Sequence, residues 1–489
     1  MRRANHTPML WVLLPLVAGI ISAQYLVLPL LLPLLVVVTC IALLLIKGWI
    51  AALYPLIYCV GFFATTLSYG SITPATTQYD ATIALHINNR YEGEILARQD
   101  RDDSWYTTRH KVAISAGAAD SLLHQTIICR ANILQLNPDE NSYLRTMHQK
   151  GYSGVVKISK VLNTSELAQI PLPRRVNNWA LQRLERLELR EVTFASAAAM
   201  SLARREFLDY DLRESYSRSG TAHLLALSGL HLGVVLMIIT SACYFIPLLR
   251  RGHIVADILA IVAIWLFAVM AGLGESVMRA AWMFSLLQLA ALFSRRYNSL
   301  NSLYTAAVMI LCCDPAALYD ISFRLSFVAV AGILLVGAPL SRRLQSGNFV
   351  VDFVVTSIVI GATSTIATSP LISHYFGYIV LLSPLTTAPL LLTLTVIILS
   401  STLWVMAPLP LLAPIASYAI ECAVTIQNHI VAWFASWGYG LIDYRLEGEL
   451  LGVTYIAMLV IFKWLHTYLT RPRQRSIHDE FAKINREDR

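Results

Sequence analysis

Apolar residues fall in long unbroken runs at both ends of the chain and give way to a mixed, alternating pattern between them. Three runs come first, near residues 9–25, 27–46 and 50–69. Polar residues then prevail from 70 to 219. Apolar runs return near 222–248, 254–272, 276–293, 298–313, 323–340, 352–372, 378–405, 411–437 and 450–468. A helix needs about 20 apolar residues to cross the hydrocarbon layer. Backbone amides and carbonyls in lipid must be paired within the segment, which leaves helices or closed barrels, and these runs are too long and too uniform for barrel strands. The pattern predicts a polytopic α-helical membrane protein of about 11–12 membrane segments, with re-entrant segments open among the shorter ones.

The polar block has two halves. "RYEGEILAR", "SWYTTRHKVAI" and "QTIICRANILQL" read as strands, a helical piece follows at 139–150, and "GVVKISKV" is a last strand. About five short strands and one helix predict a small OB-like β-barrel over residues 71–173. After "PLPRR" the period becomes helical. Trp179, Leu181, Leu184, Leu187 and Leu189 interleave with Arg183, Glu185, Arg186, Glu188 and Arg190. This predicts amphipathic helices at the membrane surface over 174–219, with a linker helix packed on the barrel as the competing reading. The domain plan is then membrane helices at 1–70, the β domain at 71–173, interfacial helices at 174–219, a helical channel domain at 220–470 and a charged tail at 471–489.

Charge adds orientation. Only 14% of the 489 residues are charged, against about 25% in soluble domains. The net charge of +8 resides largely in loop arginines. Arg2/Arg3, Lys47, Arg250/Arg251, Arg295/Arg296, Arg342/Arg343 and Arg471/Arg473/Arg475 all fall on one side of the membrane if the chain crosses twelve times. The positive-inside rule makes that side cytoplasmic, with both termini there and the β domain extracytoplasmic. The basic-then-apolar start reads as a retained first span, because further apolar runs follow at once. Of the seven cysteines only Cys129 lies in the polar block, so no disulfide closes within it and no zinc-type spacing exists.

Candidate chemistry concentrates in "GTAHLLALSGLHLGVV", Gly220–Val235. Read as one helix at 100° per residue, it has two stripes. Ala222, Ala226, Gly229 and Gly233 form a close-packing face. His223, Ser228 and His231 face away from it, toward a polar path or a neighbouring helix. The two histidines are eight apart with no carboxylate beside them, so no metal ligand set is predicted. Ser228 lacks a Gly-x-Ser-x-Gly setting, so no hydrolase is predicted. In "AGLGESVMRAAW", Gly272 and Gly274 break the helix, Ser276 can cap the next one, and Glu275 and Arg279 are spaced to pair, or Arg279 faces a path for phosphates. Arg324 stands four residues after Asp320 and either pairs locally, snorkels to the interface or adds positive charge to a path. In the β domain, which has ten basic and ten acidic residues over 70–173, Trp105, Tyr106, Arg109, His110 and Lys111 form one small patch suited to nucleic acid. An ordinary strand with one buried aromatic fits it equally.

"HLLALSGLHLG" resembles the signature of the ComEC competence-protein family, the inner-membrane channel for transforming DNA. "LNPDENSYLRTMHQKGYSG", "AGLGESVMRAAWM", "NSLNSLYTAAVMIL", "DPAALYDISFRLSFVAVAGILL" and "HYFGYIVLLSPLTTAPL" fit the same family in the same order, so the resemblance covers about residues 1–470. The family usually has Gln at Arg324, often Asn near Thr387, and a Gly near Ala203. The resemblance implies a non-enzymatic channel in the bacterial inner membrane. It would pass single-stranded DNA along His223, Ser228, His231, Glu275, Arg279 and Arg324, with no cofactor and no metal. The implied partners are membrane lipid, a separate nuclease, a periplasmic DNA receptor and a cytoplasmic helicase or single-strand-binding protein. No His-x-His-x-Asp-His motif occurs, which predicts the form without the nuclease domain, and no Walker motif occurs either. Two other classes stay open on the residues alone: a secondary transporter of a small solute built on the broken helices, and a membrane enzyme acting on a lipid-linked substrate.

Overall fold

The computed structural model describes residues 8–25, 37–38, 53–69, 78–89, 92–99, 105–115, 125–135, 152, 154–165, 172–225, 227–242, 252–293, 299–380, 383–437 and 441–470. These divide into two compact units. The first runs to Phe207 and adds Ala226–Ser326 and Ile398–Ile420. The second takes Leu208–Leu225, Phe327–Ile397 and the chain from Glu421. Most of the predicted run 27–46 and the predicted helix 139–150 lie outside the described residues.

In the first unit α1 (Pro8–Tyr25) packs on α2 (Leu53–Tyr69). A Cβ at Gly19 would stand 2.1 Å from the Tyr58 carbonyl oxygen, and one at Gly61 2.4 Å from that of Leu16. Two glycines therefore set the backbone-to-backbone approach, as small residues do between membrane helices.

Five strands follow: β1 (Gln78–Asn89), β2 (Glu92–Gln99), β3 (Trp105–Ile114), β4 (Thr126–Gln135) and β5 (Gly154–Ser165). They close into a barrel in the order β1-β2-β3-β5-β4. The β3–β5 pair is parallel, and β1 closes antiparallel onto β4 from Gln78↔Leu134 to His86↔Thr126. Strict alternation along the strands makes the core. Ile83, Leu85 and Ile87 point inward from β1, and Ile127, Cys129, Ala131 and Ile133 from β4, meeting Ile95, Val112, Ile114 and Val156.

The connecting helices differ from the expected amphipathic set in one respect. On α3 (Leu172–Glu185), Ala180, Leu181 and Leu184 are buried while Trp179 is exposed, so this helix is two-faced. By contrast, α4 (Glu191–Leu202) is enclosed: Thr193 and every residue from Ala195 to Leu202 are buried. The run "ASAAAMS" has side chains too small to make a distinct apolar face, yet small enough to let neighbours close in on all sides. Residues 191–202 therefore lack the exposed polar face expected of an amphipathic helix. Ala203 ends α4 in the left-handed conformation at φ 61°, the conformation glycine adopts without a Cβ penalty. A short helix, α5 (Tyr210–Arg218), then begins the second unit's share of the connector.

Ten α-helical segments follow among the described residues: α6 (Ala222–Leu225), α7 (Gly229–Ala242), α8 (Gly252–Met270), α9 (Glu275–Phe293), α10 (Ser299–Cys313), α11 (Ile321–Leu344), α12 (Phe349–Phe376), α13 (Ser383–Met406), α14 (Ala413–Ser436) and α15 (Gly448–Thr470). Among the described residues five are long and apolar enough to cross a membrane: α11, α12, α13, α14 with its lead-in from Pro410, and α15. Shorter apolar helices cover Pro8–Ala23, Leu53–Thr66, Gly229–Ala242, Ile254–Met270 and Ser299–Cys313. The protein is thus mostly helical and multi-pass, with a small β region.

Contacts within the second unit match successive crossings. β6 (Tyr378–Val380), after α12, pairs antiparallel with β7 (Leu441–Asp443), before α15. At the other end Arg343 donates from Nε to the Leu469 carbonyl at 2.7 Å and from an Nη to that of Tyr468 at 2.7 Å. Helix ends that the alternating topology puts on one face are bonded to one another.

Cys129 is wholly buried in the barrel, and that burial pushes its thiol up to about 11. A variant retaining Cys129 as its sole cysteine is expected to resist maleimide at neutral pH until denaturant is added. Rapid labelling of the native protein, followed by mass spectrometry, would mean the barrel core is open.

Candidate functional site

The stretch 220–235 is not one helix. Leu227 and Ser228 stand outside any helix, between α6 and the start of α7 at Gly229, so a 100° register cannot be carried through them. His223 sits on α6 in the second unit, whereas Ser228 and His231 belong to the first. The single polar stripe is therefore replaced by two local structures.

The first is the start of α7. The Ser228 backbone N–H donates to His231 Nδ1 at 3.2 Å, the Ser228 hydroxyl lies 3.2 Å from the same nitrogen, and the His231 N–H donates to the Ser228 carbonyl at 3.1 Å. A backbone amide can only donate, so this Nδ1 is the acceptor and the neutral ring carries its proton on Nε2. Ser228 thus occupies the cap position and His231 the third helical position. From there its side chain reaches back to the cap amide, as Glu or Gln does in a capping box. His231 is fully buried while doing so.

On α7 two members of the expected packing stripe lie toward α9. A Cβ on Gly229 would meet Ala280 Cβ at 3.7 Å, and one on Gly233 would meet the Phe284 ring at 3.6 Å. Two glycines one turn apart thus lie against two α9 residues one turn apart. Of the other two stripe members, Ala222 is on α6 and Ala226 lies outside the described residues.

The second local structure ends α5. Gly220 has φ 76°, its N–H bonds the Ser217 carbonyl at 3.0 Å, and the Thr221 N–H bonds that of Tyr216 at 2.8 Å. This is a complete Schellman turn. The same motif closes α8: Gly272 at φ 80° donates to Val269, and Leu273 to Ala268 at 2.9 Å. Helix α9 then starts at Glu275, so Ser276 lies in its first turn instead of capping it. Asn177, buried on α3, donates to the Leu202 carbonyl at 2.9 Å and the Met270 carbonyl at 2.7 Å, closing two helix ends with one amide.

Arg279, 5% exposed, faces Asp320 with an Nη–Oδ1 distance of 4.0 Å. The same Oδ1 accepts from the Ser322 N–H at 2.8 Å and the Phe323 N–H at 3.1 Å, capping α11. One carboxylate thus serves a helix start and an arginine from another helix. Arg324 donates from Nε to the Leu318 carbonyl at 2.8 Å and lies 5.7 Å from the Tyr319 ring centroid, within the loop that presents Asp320. The side chain of Glu275 lies outside the described residues. So do those of Trp105, Tyr106, Arg109, His110 and Lys111, whose backbone forms β3. Among the described residues no cluster of three His, Cys, Asp or Glu could hold a metal.

The comparisons bear on this helical region. A family model described as Competence protein matches residues 200–469, from within α4 to within α15. That is 270 of 489 residues, more than half of the chain. The chain belongs to the competence protein family. Within the matched span lie every helix break and cap from Gly220 to Asp320 described above. ComE operon protein 3 of Bacillus subtilis (strain 168) is 27% identical over 150 residues, 30% of this chain and 19% of that protein. An uncharacterized protein of Aquifex aeolicus (strain VF5) is 26% identical over 224 residues, 45% of this chain and 50% of that protein. The aligned part is half or less of the length of each of these relatives. No solved structure matches.

Asp320 as the partner of Arg279 was not readable from spacing, because the two are 41 positions apart; only its cap role has a local signal, an Asp opening an apolar run. Two outcomes are expected from thermal unfolding of the detergent-solubilised protein. His231→Gln, which can still reach the cap amide, keeps the wild-type midpoint, while His231→Leu loses about 1 kcal/mol. Arg279→Met, leaving Asp320 with less compensation, destabilises more than Arg279→Met combined with Asp320→Asn. Equal effects of His231→Gln and His231→Leu would remove the capping role.

Proposed function

We propose that this chain is a membrane channel that passes single-stranded DNA across the bacterial inner membrane during natural transformation. The observation that carries the reading is membership of the competence protein family across residues 200–469, on a multi-pass helical chain. The relative named ComE operon protein 3 supports the same process.

The loop arginines put both termini in the cytoplasm and the barrel outside. The five-stranded β region, in the order β1-β2-β3-β5-β4, supports an OB-like reading of this domain. On this reading it receives the strand outside, with Trp105, Tyr106, Arg109 and Lys111 on β3 as its contacts. The helices then pass the strand inward along a route that includes His223, Ser228, His231, Glu275, Arg279 and Arg324. The chain performs no chemistry on the DNA. A separate nuclease, a periplasmic receptor and a cytoplasmic helicase or single-strand-binding protein supply strand degradation, capture and driving force.

The break between α6 and α7 also fits a solute transporter, in which discontinuous helices form a midplane site. One experiment separates the two. Labelled DNA is offered to competent cells lacking this gene, and nuclease-protected cytoplasmic label is measured. The channel reading expects loss of import on deletion and recovery with the wild-type chain. Normal import in the deletion strain would remove it.

A further inference from the structure

On the outer face of the β domain, β4 and β5 carry charge in a way that strand alternation alone does not produce. Val156 is in the core and Ile158 packs against it, so an unbroken alternation would carry Lys160 inward next. The register slips instead. Arg130 of β4 stands opposite Lys160 and Ala131 opposite Ile158, which leaves Ser159 as an extra residue. The slip passes the inward position to Val161 and turns Lys160 outward beside Arg130. A second slip follows, with Cys129 opposite Val161 and Ile128 opposite Asn163, so that Leu162 is extra. Bulges of this kind re-aim side chains. Here Lys157, Ser159, Lys160, Leu162 and Asn163 are all exposed.

On β4, Arg130 and Leu134 are exposed beside them. The registered rows run Leu134–Val155, Asn132–Lys157 and Arg130–Lys160, with Leu162 just beyond. Three cations therefore sit between two exposed leucines. Neither strand contains an acidic residue. None of the three cations takes part in an ion pair among the described residues. On the flanking strand β1 the positions beside Arg130 and Asn132 are Thr82 and Asp80.

The chain keeps this domain close to the bilayer. It follows the apolar helix α2 after eight residues, and six residues separate β5 from α3. Fully extended, these links reach no more than about 32 Å and 25 Å. Weak contacts made within so short a tether act at high effective concentration. Cations mixed with aliphatic side chains are the composition of a surface that settles at the headgroup level of anionic lipid. A groove for single-stranded nucleic acid offers stacking aromatics among its cations, and β4 and β5 contain no aromatic residue.

We propose that the outer face of β4 and β5 docks the β domain on anionic phospholipid headgroups, with Arg130, Lys157 and Lys160 meeting phosphate and Leu134 and Leu162 entering the interface beside them. β2 pairs with neither strand, so docking turns it away from the bilayer and holds the domain in one orientation. The docking goes beyond the channel reading and does not rest on it.

The test uses the full-length chain in nanodiscs of phosphatidylcholine alone, or of phosphatidylcholine and phosphatidylglycerol in equal parts. Acetic anhydride, a neutral reagent, modifies accessible lysines, and mass spectrometry reads each site. A control site comes from Arg98→Lys, at an exposed position of β2. Lys157 and Lys160 are expected to react at least fivefold more slowly when phosphatidylglycerol is present, and the control site at an unchanged rate. Raised salt is expected to remove most of that protection. Arg130→Gln and Leu162→Gln, both at exposed positions, are expected to reduce it about threefold each without moving the thermal unfolding midpoint. Equal reactivity of Lys157 and Lys160 in both lipid mixtures would overturn the proposal. So would equal protection of the control site, which marks a general effect of surface charge on amines. Protection by an added oligodeoxynucleotide in phosphatidylcholine alone, with none from phosphatidylglycerol, would assign the face to nucleic acid and overturn the lipid docking. The expected results involve no DNA import, so failure of the channel reading leaves them unchanged.

Discussion

A helix that stops against hydrocarbon leaves amides at one end and carbonyls at the other that water cannot reach. The described helices stop often, and their interruptions are closed by particular groups. Gly220 and Gly272 fold the chain back onto its own carbonyls. His231 and Ser228 close the start of α7, and Asp320 that of α11. Asn348 accepts from the Val350 and Val351 amides to open α12. Asn177 spans two helix ends at once. The positions of the polar side chains follow from these closures.

This changes how intramembrane polar residues are weighed. Burial in lipid is costly, so a polar side chain in an apolar run reads first as part of a pathway. Here His231 and Asp320 have demonstrable work at helix ends, and Arg279 stands opposite a carboxylate that is itself a cap. Such residues can serve the backbone and border a polar route together, since a helix end is where main-chain polarity surfaces. A substitution that lowers activity at His231 or Arg279 therefore needs a stability measurement beside it before it says anything about a path.

What was legible in the sequence follows from the range of the forces involved. Strand alternation is local, and it placed four of the five strands through runs such as "QTIICRANILQL". Loop arginines report topology one crossing at a time, and the bonded helix ends at Arg343 and at β6–β7 accord with that alternation. The break at Leu227 and Ser228 was not legible. It contains no proline, and its cap reads Ser-x-x-His where the familiar signature is Ser-x-x-Glu, so a 100° projection ran straight through it. The enclosure of α4 was hidden because alanine and serine satisfy an interfacial pattern and a buried one equally well. The Arg279–Asp320 contact and the Tyr216–Gln427 bond are tertiary, and spacing along the chain carries no signal of either. A Gln-Asn pair inside the apolar run "TIQNHIVAW" was the visible clue that something polar had to meet α14.

The closures fix where a helix begins: α7 starts at Gly229 behind Ser228 and His231, and α11 at Ile321 behind Asp320. An unclosed helix end at intermediate depth would expose several main-chain groups to lipid. A capped one exposes few, and the glycines at 229 and 233 let α7 lie close against α9 so that lipid does not fill the gap. Capped, closely packed helix starts place polar main-chain ends at depths where an uninterrupted bundle presents only side chains. A route for a charged polymer needs polarity at just those depths, and here the backbone itself can supply it.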